Sequence, residues 1–180
     1  GQDQDYLQNK VWQPCGSLAA VVNVNIDSEE PPVTAAITQG MAQGWGVAPD
    51  TLFQDAVAAM RRSHPPVLSD IREILWEIAS GQPGRNFIEG DIPAMDSSQE
   101  PPMLILTDEQ KYLGASYVTD PAILERVGQI FGSNYYVLPS SIHEVICAPV
   151  SIGTPEEVGI MVYAVNRQEY IVRANEVLSD

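Results

Sequence analysis

Two stretches near the start of the chain are predicted to be strands, and the first of them ends in an alternation of hydrophobic and polar residues with the two-residue period that is typical of a half-buried strand. The first stretch covers residues 18–26 and is rich in valine, and the second covers residues 33–38. A short polar connection with two prolines separates them at residues 27–32. The pattern therefore predicts an antiparallel hairpin in this part of the chain.

Apolar residues recur with the period of an amphipathic helix in two segments between residues 49 and 81. The first helix is predicted to begin at Pro49, after a glycine-rich turn around Trp45, and to end before Pro65. The second is predicted to have Ser69 as its N-cap and Gly81 as its C-terminal stop. Its predicted buried stripe consists of Ile71, Ile74, Leu75 and Ile78, with Trp76 at the edge of that face.

Two further helices are predicted in the last third of the chain. Asp120 and Pro121 begin the first of them, and Gly132 ends it. The second begins with a capping box at residues 154–157 and runs to about residue 166. In such a box the threonine and the glutamate each accept from a main-chain N–H of the first turn, so the motif predicts where the helix starts.

Short strands are predicted at residues 103–107, 135–138, 144–148 and 170–173. Residues 81–102 hold three glycines, four prolines and few apolar residues, so we predict a long loop or an ordered insertion there. Strand pairs interleaved with helices predict an α+β fold, a mainly antiparallel sheet packed with about four helices. The length favours a single domain over residues 1–180.

The charge balance excludes several classes of partner. The 180 residues include 24 acids and 9 bases, which gives a formal net charge of −15. Affinity for nucleic acid or for an anionic membrane depends on lysine and arginine, so neither partner is predicted. No apolar run approaches the ~20 residues that span a bilayer. The chain starts with glycine and without the features of a signal peptide, so we expect a fragment of a longer protein with no leader.

Neither a cofactor nor a metal ion is predicted. Cys15 and Cys147 are far apart and belong to no Cys-x-x-Cys motif, so we expect buried thiols rather than metal ligands. The acids at residues 27–30 lack the spacing of a Ca²⁺ loop, and residues 81–90 lack the lysine of a phosphate-binding loop. His64 precedes two prolines and is interpreted as a loop residue.

The candidate catalytic residues are Ser141, His143 and Glu144. If the segment is extended, Ser141 and His143 project to one face, as a nucleophile and a base would, whereas Glu144 projects to the other. A third group that orients the histidine and a Gly-x-Ser-x-Gly elbow are both missing from the pattern. The structural alternative is that residues 139–141 make a hairpin turn and His143 begins the returning strand.

The same hairpin carries a family resemblance. Residues 134–146, Asn-Tyr-Tyr-Val-Leu-Pro-Ser-Ser-Ile-His-Glu-Val-Ile, resemble the most characteristic stretch of an uncharacterised bacterial family, domain-of-unknown-function family 5688. Trp-Gly-Val at residues 45–47, a Leu-Thr strand and Gly-Ala at residues 114–115 follow the order of that family. A more distant similarity is to another uncharacterised group, family 1444. The resemblance covers nearly the whole chain and implies a shared fold in a bacterial cytoplasmic protein, without an activity.

Three functions are open at this point. We expect a non-enzymatic domain that binds a protein partner or serves as a scaffold, because no complete catalytic set is present and loop 81–102 differs in composition. The first alternative is a hydrolase that uses Ser141 and His143. The second is a domain that binds a small ligand between sheet and helices. The sequence gives neither the identity of a partner nor the oligomeric state.

Overall fold

The chain divides into two compact units, residues 1–63 and residues 64–180. The computed structural model describes residues 2–26, 33–91 and 102–166. Helices and antiparallel strand pairs occur in both units, so the predicted α+β class is confirmed. The single domain over residues 1–180 stays a prediction.

Three helices and four short strands lie in the described residues of the first unit. In chain order they are α1 Gln2–Leu7, β1 Trp12–Cys15, β2 Leu18–Val21, β3 Asn23–Asn25, β4 Thr34–Ala36, α2 Gln39–Trp45 and α3 Pro49–Ser63. β1 pairs with β2, and β3 pairs with β4, in both cases antiparallel. The hairpin predicted over residues 18–38 is thus confirmed in its β3–β4 part.

The prediction of one strand over residues 18–26 is wrong, because the chain changes partner at Val22. The N–H of Val22 donates to the carbonyl of Val11 (3.0 Å), and the N–H of Val11 donates to the carbonyl of Ile37 (2.8 Å). The N–H of Ile37 closes the ring by donating to the carbonyl of Val22 (2.8 Å). These three residues and Ala42 are buried and form the core of the unit.

The glycine-rich turn predicted around Trp45 is also wrong, because most of it is the helix α2. The Thr38 hydroxyl accepts from the N–H of Met41 at the start (3.2 Å), and Gly46 ends the helix with φ +67°. A glycine within a helix is about 0.5–1 kcal/mol less favourable than alanine. The two end caps and the burial of Ala42 offset that cost for Gly40 and Gly44.

The second unit is built on a four-stranded antiparallel sheet with the order β5–β6–β8–β7. The strands are β5 Pro66–Asp70, β6 Leu104–Asp108, β7 Tyr135–Ser141 and β8 Glu144–Pro149. The helices are α4 Ile71–Ser80, α5 Pro121–Phe131 and α6 Pro155–Asn166, with 3₁₀ helices at Gly114–Thr119 and Val150–Ile152. β8 lies between β6 and β7. The connection from β6 to β7, which contains α5, therefore crosses over the position that β8 occupies.

Side chains from the sheet, the first 3₁₀ helix and α5 form the core of this unit. Its fully buried members include Leu68, Leu104, Leu106, Tyr117, Val127, Val145 and Cys147. Burial raises the pKa of the Cys147 thiol to about 12. The expectation that this cysteine belongs to the core is therefore confirmed, whereas Cys15 is half-buried.

The predicted strands at residues 103–107, 135–138 and 144–148 are confirmed by β6, β7 and β8. β5 was not predicted, since Pro65 precedes it and Pro66 is its first residue. A proline is tolerated as the first residue of an edge strand because no ladder partner needs its missing N–H, and Pro66 occupies that place. The strand predicted at residues 170–173 lies outside the described residues.

The four predicted helices correspond to α3, α4, α5 and α6. Asp120 caps α5 by accepting from the N–H of Ala122 (3.1 Å), as predicted. The capping box of α6 is confirmed, with Thr154 N–H donating to Glu157 Oε2 (2.8 Å) and Glu157 N–H to Thr154 Oγ1 (3.3 Å). Within the described ranges, no helix is long and apolar enough to cross a membrane.

The predicted N-cap of α4 is wrong by one residue. Asp70, not Ser69, caps the helix by accepting from the N–H of Arg72 (2.8 Å). Ser69 lies within β5 instead, and its hydroxyl donates to the carbonyl of Arg85 (3.0 Å). The pKa of Asp70 is lowered: burial raises it, but the hydrogen bonds and the positive charge of Arg72 outweigh that effect.

Candidate functional site

The Ser-Ser-Ile-His-Glu segment forms a tight turn between β7 and β8. β7 continues through Ser141, β8 begins at Glu144, and only Ile142 and His143 make the turn. The interpretation of residues 139–141 as the turn is therefore wrong. A register shift between Pro139 and Ser141 lets the strand carry a proline at the edge of the sheet.

His143 holds this turn against the loop that follows β6. Its Nδ1 contacts the carbonyl oxygen of Tyr112, and because a carbonyl only accepts, Nδ1 carries the proton. The two rings lie 5.8 Å apart between centroids. The hydroxyl of Thr107 on β6 donates to the carbonyl of His143 (2.8 Å). His143 thus links the hairpin to two separate segments.

Ser141 and Glu144 also serve the hairpin. The hydroxyl oxygen of Ser141 accepts from the main-chain N–H of His143 (3.1 Å). Ser140 donates to a carboxylate oxygen of Glu144 (3.4 Å). A nucleophilic serine needs its hydroxyl at the ring of the base, whereas Ser141 meets the main chain of the histidine. The hydrolase alternative stays a prediction that this geometry does not favour.

Gly114 brings the first 3₁₀ helix into direct contact with β6 and with the hairpin turn. A β-carbon at this position would lie 2.1 Å from the Cα of Thr107 and 2.6 Å from the carbonyl oxygen of His143. Only glycine fits such an approach. Three pieces of the family resemblance, the Leu-Thr strand, Gly114 and the hairpin, therefore meet at one point of the fold.

The loop at residues 109–113 lies between both histidines of the chain. The carboxylate of Asp108, which is 1% exposed, anchors it by accepting from the N–H of Leu113 (2.6 Å). His64 Nδ1 contacts Oε1 of Gln110 (3.1 Å) on one side, and His143 holds the other side. The interpretation of His64 as a plain loop residue missed this contact, which joins positions 46 residues apart.

A different feature of the second unit is an apolar surface on α4. Leu75 is 62% exposed, Trp76 is 51% exposed and Ile78 is 77% exposed. Residues three or four apart are neighbours on a helix, so Ala79, also exposed, joins these side chains into one continuous surface. We call Leu75, Trp76, Ile78 and Ala79 the α4 apolar face. The prediction that this stripe is buried is wrong for Leu75 and Ile78.

Acidic side chains occupy the inner side of α4 instead. Glu77 accepts from the N–H of Gly84 through Oε2 (3.3 Å). A β-carbon at Gly84 would lie 3.3 Å from the carbonyl oxygen of Glu73, so the chain turns back closely along this side of the helix. Glu73 and Glu77 are both half-buried as a result. The apolar face is thus rotated away from the contacts that hold the helix in place.

The start of the predicted loop 81–102 runs along the outer edge of β5. The N–H of Phe87 donates to the carbonyl of Leu68 (2.7 Å). The Asn86 side chain accepts from the N–H of Leu68 (3.0 Å) and donates to the carbonyl of Pro66 (3.1 Å). We call residues 85–90 the strap. It caps the hydrogen-bonding edge of β5. Residues 92–101 of the predicted loop lie outside the described part of the chain.

Arg126 of α5 fastens the strap. Its Nε donates to the carbonyl of Phe87 (2.9 Å), and its terminal nitrogen donates to the carbonyl of Gly90 (2.8 Å). The Phe87 ring is buried, with the guanidinium of Arg85 5.7 Å from its centroid. A covered edge does not pair with a further strand, so the strap closes this side of the sheet.

The small-ligand alternative can be compared with a groove in the second unit. An open groove of about 550 Å³ lies between α5 and the start of β7, lined in part by Leu124, Gly128 and Tyr135. Burial is the main cause that raises the pKa of Tyr135 to about 12, and its hydroxyl donates to the carbonyl of Leu124 (2.7 Å). Among the described residues, no three metal-ligating side chains are grouped to hold a metal ion.

Comparison with known proteins gives one finding. A family model described as "Family of unknown function (DUF5688)" matches residues 1–180. The curated proteins and the solved structures contain no match to the chain. The distant similarity to family 1444 stays a prediction. Because the family description names no activity, the side chains of this molecule have to carry the functional argument.

Proposed function

Since the chain belongs to the family of unknown function DUF5688, we propose from its own surface that it is a protein-interaction or scaffold domain that binds a partner through the α4 apolar face. The observation that supports the proposal is the exposure of three large apolar side chains on one short helix, Leu75, Trp76 and Ile78. Continuous apolar patches on soluble domains mark surfaces that another molecule covers.

Energetic reasoning supports an interface on this face. Burying a leucine, isoleucine or comparable side chain contributes about 1.5–3 kcal/mol. Tryptophan is one of the residue types that most often dominate binding energy at an interface. Leu75 and Ile78 therefore give a partner two aliphatic anchors beside one aromatic anchor.

The surroundings of α4 support the same proposal. The helix is capped at both ends, by Asp70 at the start and by Gly81 with φ +68° at the end, so it is a fixed element rather than a fraying one. The strap covers the neighbouring sheet edge. A preformed helix presents its side chains with little loss of conformational freedom on binding.

Site-specific photo-crosslinking tests the proposal. A photoreactive residue replaces Ile78 in the full chain, and the matched control places it at Ile160, an isoleucine of α6 that is 70% exposed. We expect the photoreactive residue at position 78 to cross-link one protein and the residue at position 160 not to do so. Mass spectrometry identifies the cross-linked protein, which is then purified. Ile78→Ser should weaken its binding about tenfold. Equal affinity of wild type and Ile78→Ser for the purified protein would contradict the proposed function.

A further inference from the structure

We infer that the outer edge of β5 is a recognition site for an extended peptide segment. The chain's own strap occupies the site in this structure, and a segment of a partner protein that carries an anchoring phenylalanine would take its place. The strap is then an autoinhibitory contact. The inference does not depend on the α4 apolar face. It depends on how the strap is held, because the strap is bound to the domain in the way that a peptide is bound.

Most of the contacts that hold the strap are open to any extended segment. The N–H of Phe87 donates to the carbonyl of Leu68 (2.7 Å), and the carbonyl of Arg85 accepts from the hydroxyl of Ser69 (3.0 Å). Arg126 donates to two further carbonyls of the strap (2.9 and 2.8 Å). All four strap groups are main-chain groups, which every peptide segment can offer. Main-chain hydrogen bonds supply the affinity when a peptide adds to a sheet edge.

Two side chains of the strap give the site its specificity. Phe87 is 7% exposed, Ile88 is half-buried, and the other four residues of the strap are exposed. The strap therefore lies on the surface with one aromatic anchor. The side chain of Asn86 donates to the carbonyl of Pro66 (3.1 Å) and accepts from the N–H of Leu68 (3.0 Å). The structure thus describes an occupant with a phenylalanine directly after an asparagine.

The strap leaves room for a better occupant. It contains no strand, and it meets the N–H of Leu68 with the amide of Asn86 instead of a main-chain carbonyl. A partner segment in strand conformation would meet both main-chain groups of Leu68 with its own main chain. Because the strap is tethered, it competes at an effective concentration on the order of mM. A segment that adds these ladder bonds can displace it.

The strap of a second copy does not gain from the same site. An exchange of straps between two copies replaces each contact by an identical contact, so no binding energy offsets the freedom lost on association. Each chain also carries a formal net charge of −15, which adds repulsion between copies. The site therefore fits a segment of a different protein.

A synthetic peptide with the sequence of residues 84–91 tests the site on the full chain. Fluorescence anisotropy of the labelled peptide measures its affinity for wild type and for the variants Phe87→Ala and Asn86→Ala, each of which weakens the chain's own strap. Both variants should bind the peptide about tenfold or more tightly than wild type does, because the wild-type site is occupied. The same peptide with alanine in place of its phenylalanine should bind about tenfold more weakly.

Hydrogen exchange locates the bound peptide. In Asn86→Ala the N–H of Leu68 loses its acceptor and should exchange faster, and the peptide should restore its protection. Ile78→Ser, combined with Asn86→Ala, is the control and should leave the affinity unchanged, since Ile78 lies on the α4 apolar face. The Tm of each variant checks its folding. Asn86→Ala changes an exposed residue and keeps Phe87 in place, so it carries the test if Phe87→Ala does not fold.

Three outcomes would overturn the inference and leave the proposed function standing. The first is a peptide that binds neither folded variant at about 1 mM, or binds them no more tightly than wild type. The second is a bound peptide that does not protect Leu68 or that the added Ile78→Ser removes. The third is a dimer of Asn86→Ala in sedimentation without peptide, which would identify a second copy as the occupant.

Discussion

Gly114 approaches Thr107 so closely that a β-carbon on the glycine would lie 2.1 Å from the Cα of the threonine. The same β-carbon would lie 2.6 Å from the carbonyl oxygen of His143. Both neighbours are main-chain atoms, one in the strand β6 and the other in the β7–β8 turn. The first 3₁₀ helix is therefore seated on the sheet by the absence of a side chain at one position.

Gly114→Ala should destabilise the second unit by about 3 kcal/mol or more, because main-chain atoms have to move to admit the methyl group. Urea unfolding measures the change. Gly159→Ala is the matched control, since a β-carbon on Gly159 in α6 would meet no neighbouring atom within 4 Å. The control should stabilise the helix by about 0.5–1 kcal/mol. A Gly114→Ala variant as stable as wild type would contradict the close approach.

Local signals account for the parts of the fold that the sequence predicts well. Asp120 and Thr154 each accept from an N–H two or three residues away, so cap and helix start are visible within one short window. The prediction of Ser69 as the N-cap of α4 is wrong because the adjacent Asp70 is also a favoured N-cap residue and takes that position. Capping chemistry thus predicts a boundary to within a residue, and the choice between neighbours depends on the strand that ends there.

Non-local relationships explain what the sequence could not predict. Val22 breaks the predicted strand because Val11 and Ile37, distant in sequence, share its main-chain hydrogen bonds. Leu75 lies on a well-predicted amphipathic helix, yet periodicity does not say whether anything covers the stripe. The hairpin candidates belong to one segment, whereas the partners of His143 come from residues 107 and 112. No pattern within a short window links those positions.

Arg126→Met should loosen the strap while keeping the aliphatic stem of the side chain. The substitution removes donors to the carbonyls of Phe87 and Gly90, and we expect a loss of about 1–2 kcal/mol in the free energy of unfolding. Hydrogen exchange of the Phe87 amide should become faster, because its hydrogen bond to the carbonyl of Leu68 then opens more often. Glu125→Gln, one residue earlier on α5, is the control. Unchanged exchange at Phe87 would show that Arg126 does not fasten the strap.

Glu157 should make the stability of α6 depend on pH. Its hydrogen bonds from Thr154 lower the pKa of the Glu157 carboxyl below its ordinary value of 4.5. A carboxyl with a lowered folded pKa stabilises the folded state above its unfolded pKa, and this contribution is lost as the pH falls through the folded pKa. The helix therefore has the full contribution at pH 7 and loses it progressively below about pH 4.5.

The variant Glu157→Gln measures this contribution. We expect its Tm to be lower than that of wild type at pH 7 and to converge with it near pH 3. Glu156→Gln removes an equal charge from the same first turn, so the comparison separates the capping box from the helix dipole. If the Tm difference between wild type and Glu157→Gln is as large at pH 3 as at pH 7, the ionised carboxylate of Glu157 does not stabilise the capping box.

Ser141→Ala and His143→Ala should lower the stability of the protein, and neither should change the rate at which ester or peptide substrates are hydrolysed in its presence. Ser141→Ala removes the acceptor for the N–H of His143 and should cost about 1 kcal/mol. His143→Ala removes the link to Tyr112 and should cost about 1–2 kcal/mol, with Ser151→Ala on the surface as the control. A panel of ester and peptide substrates then gives equal rates for all four proteins. A wild-type activity that both variants abolish while still folded would establish the hydrolase alternative instead, since only a catalytic pair links the loss of rate to these two side chains.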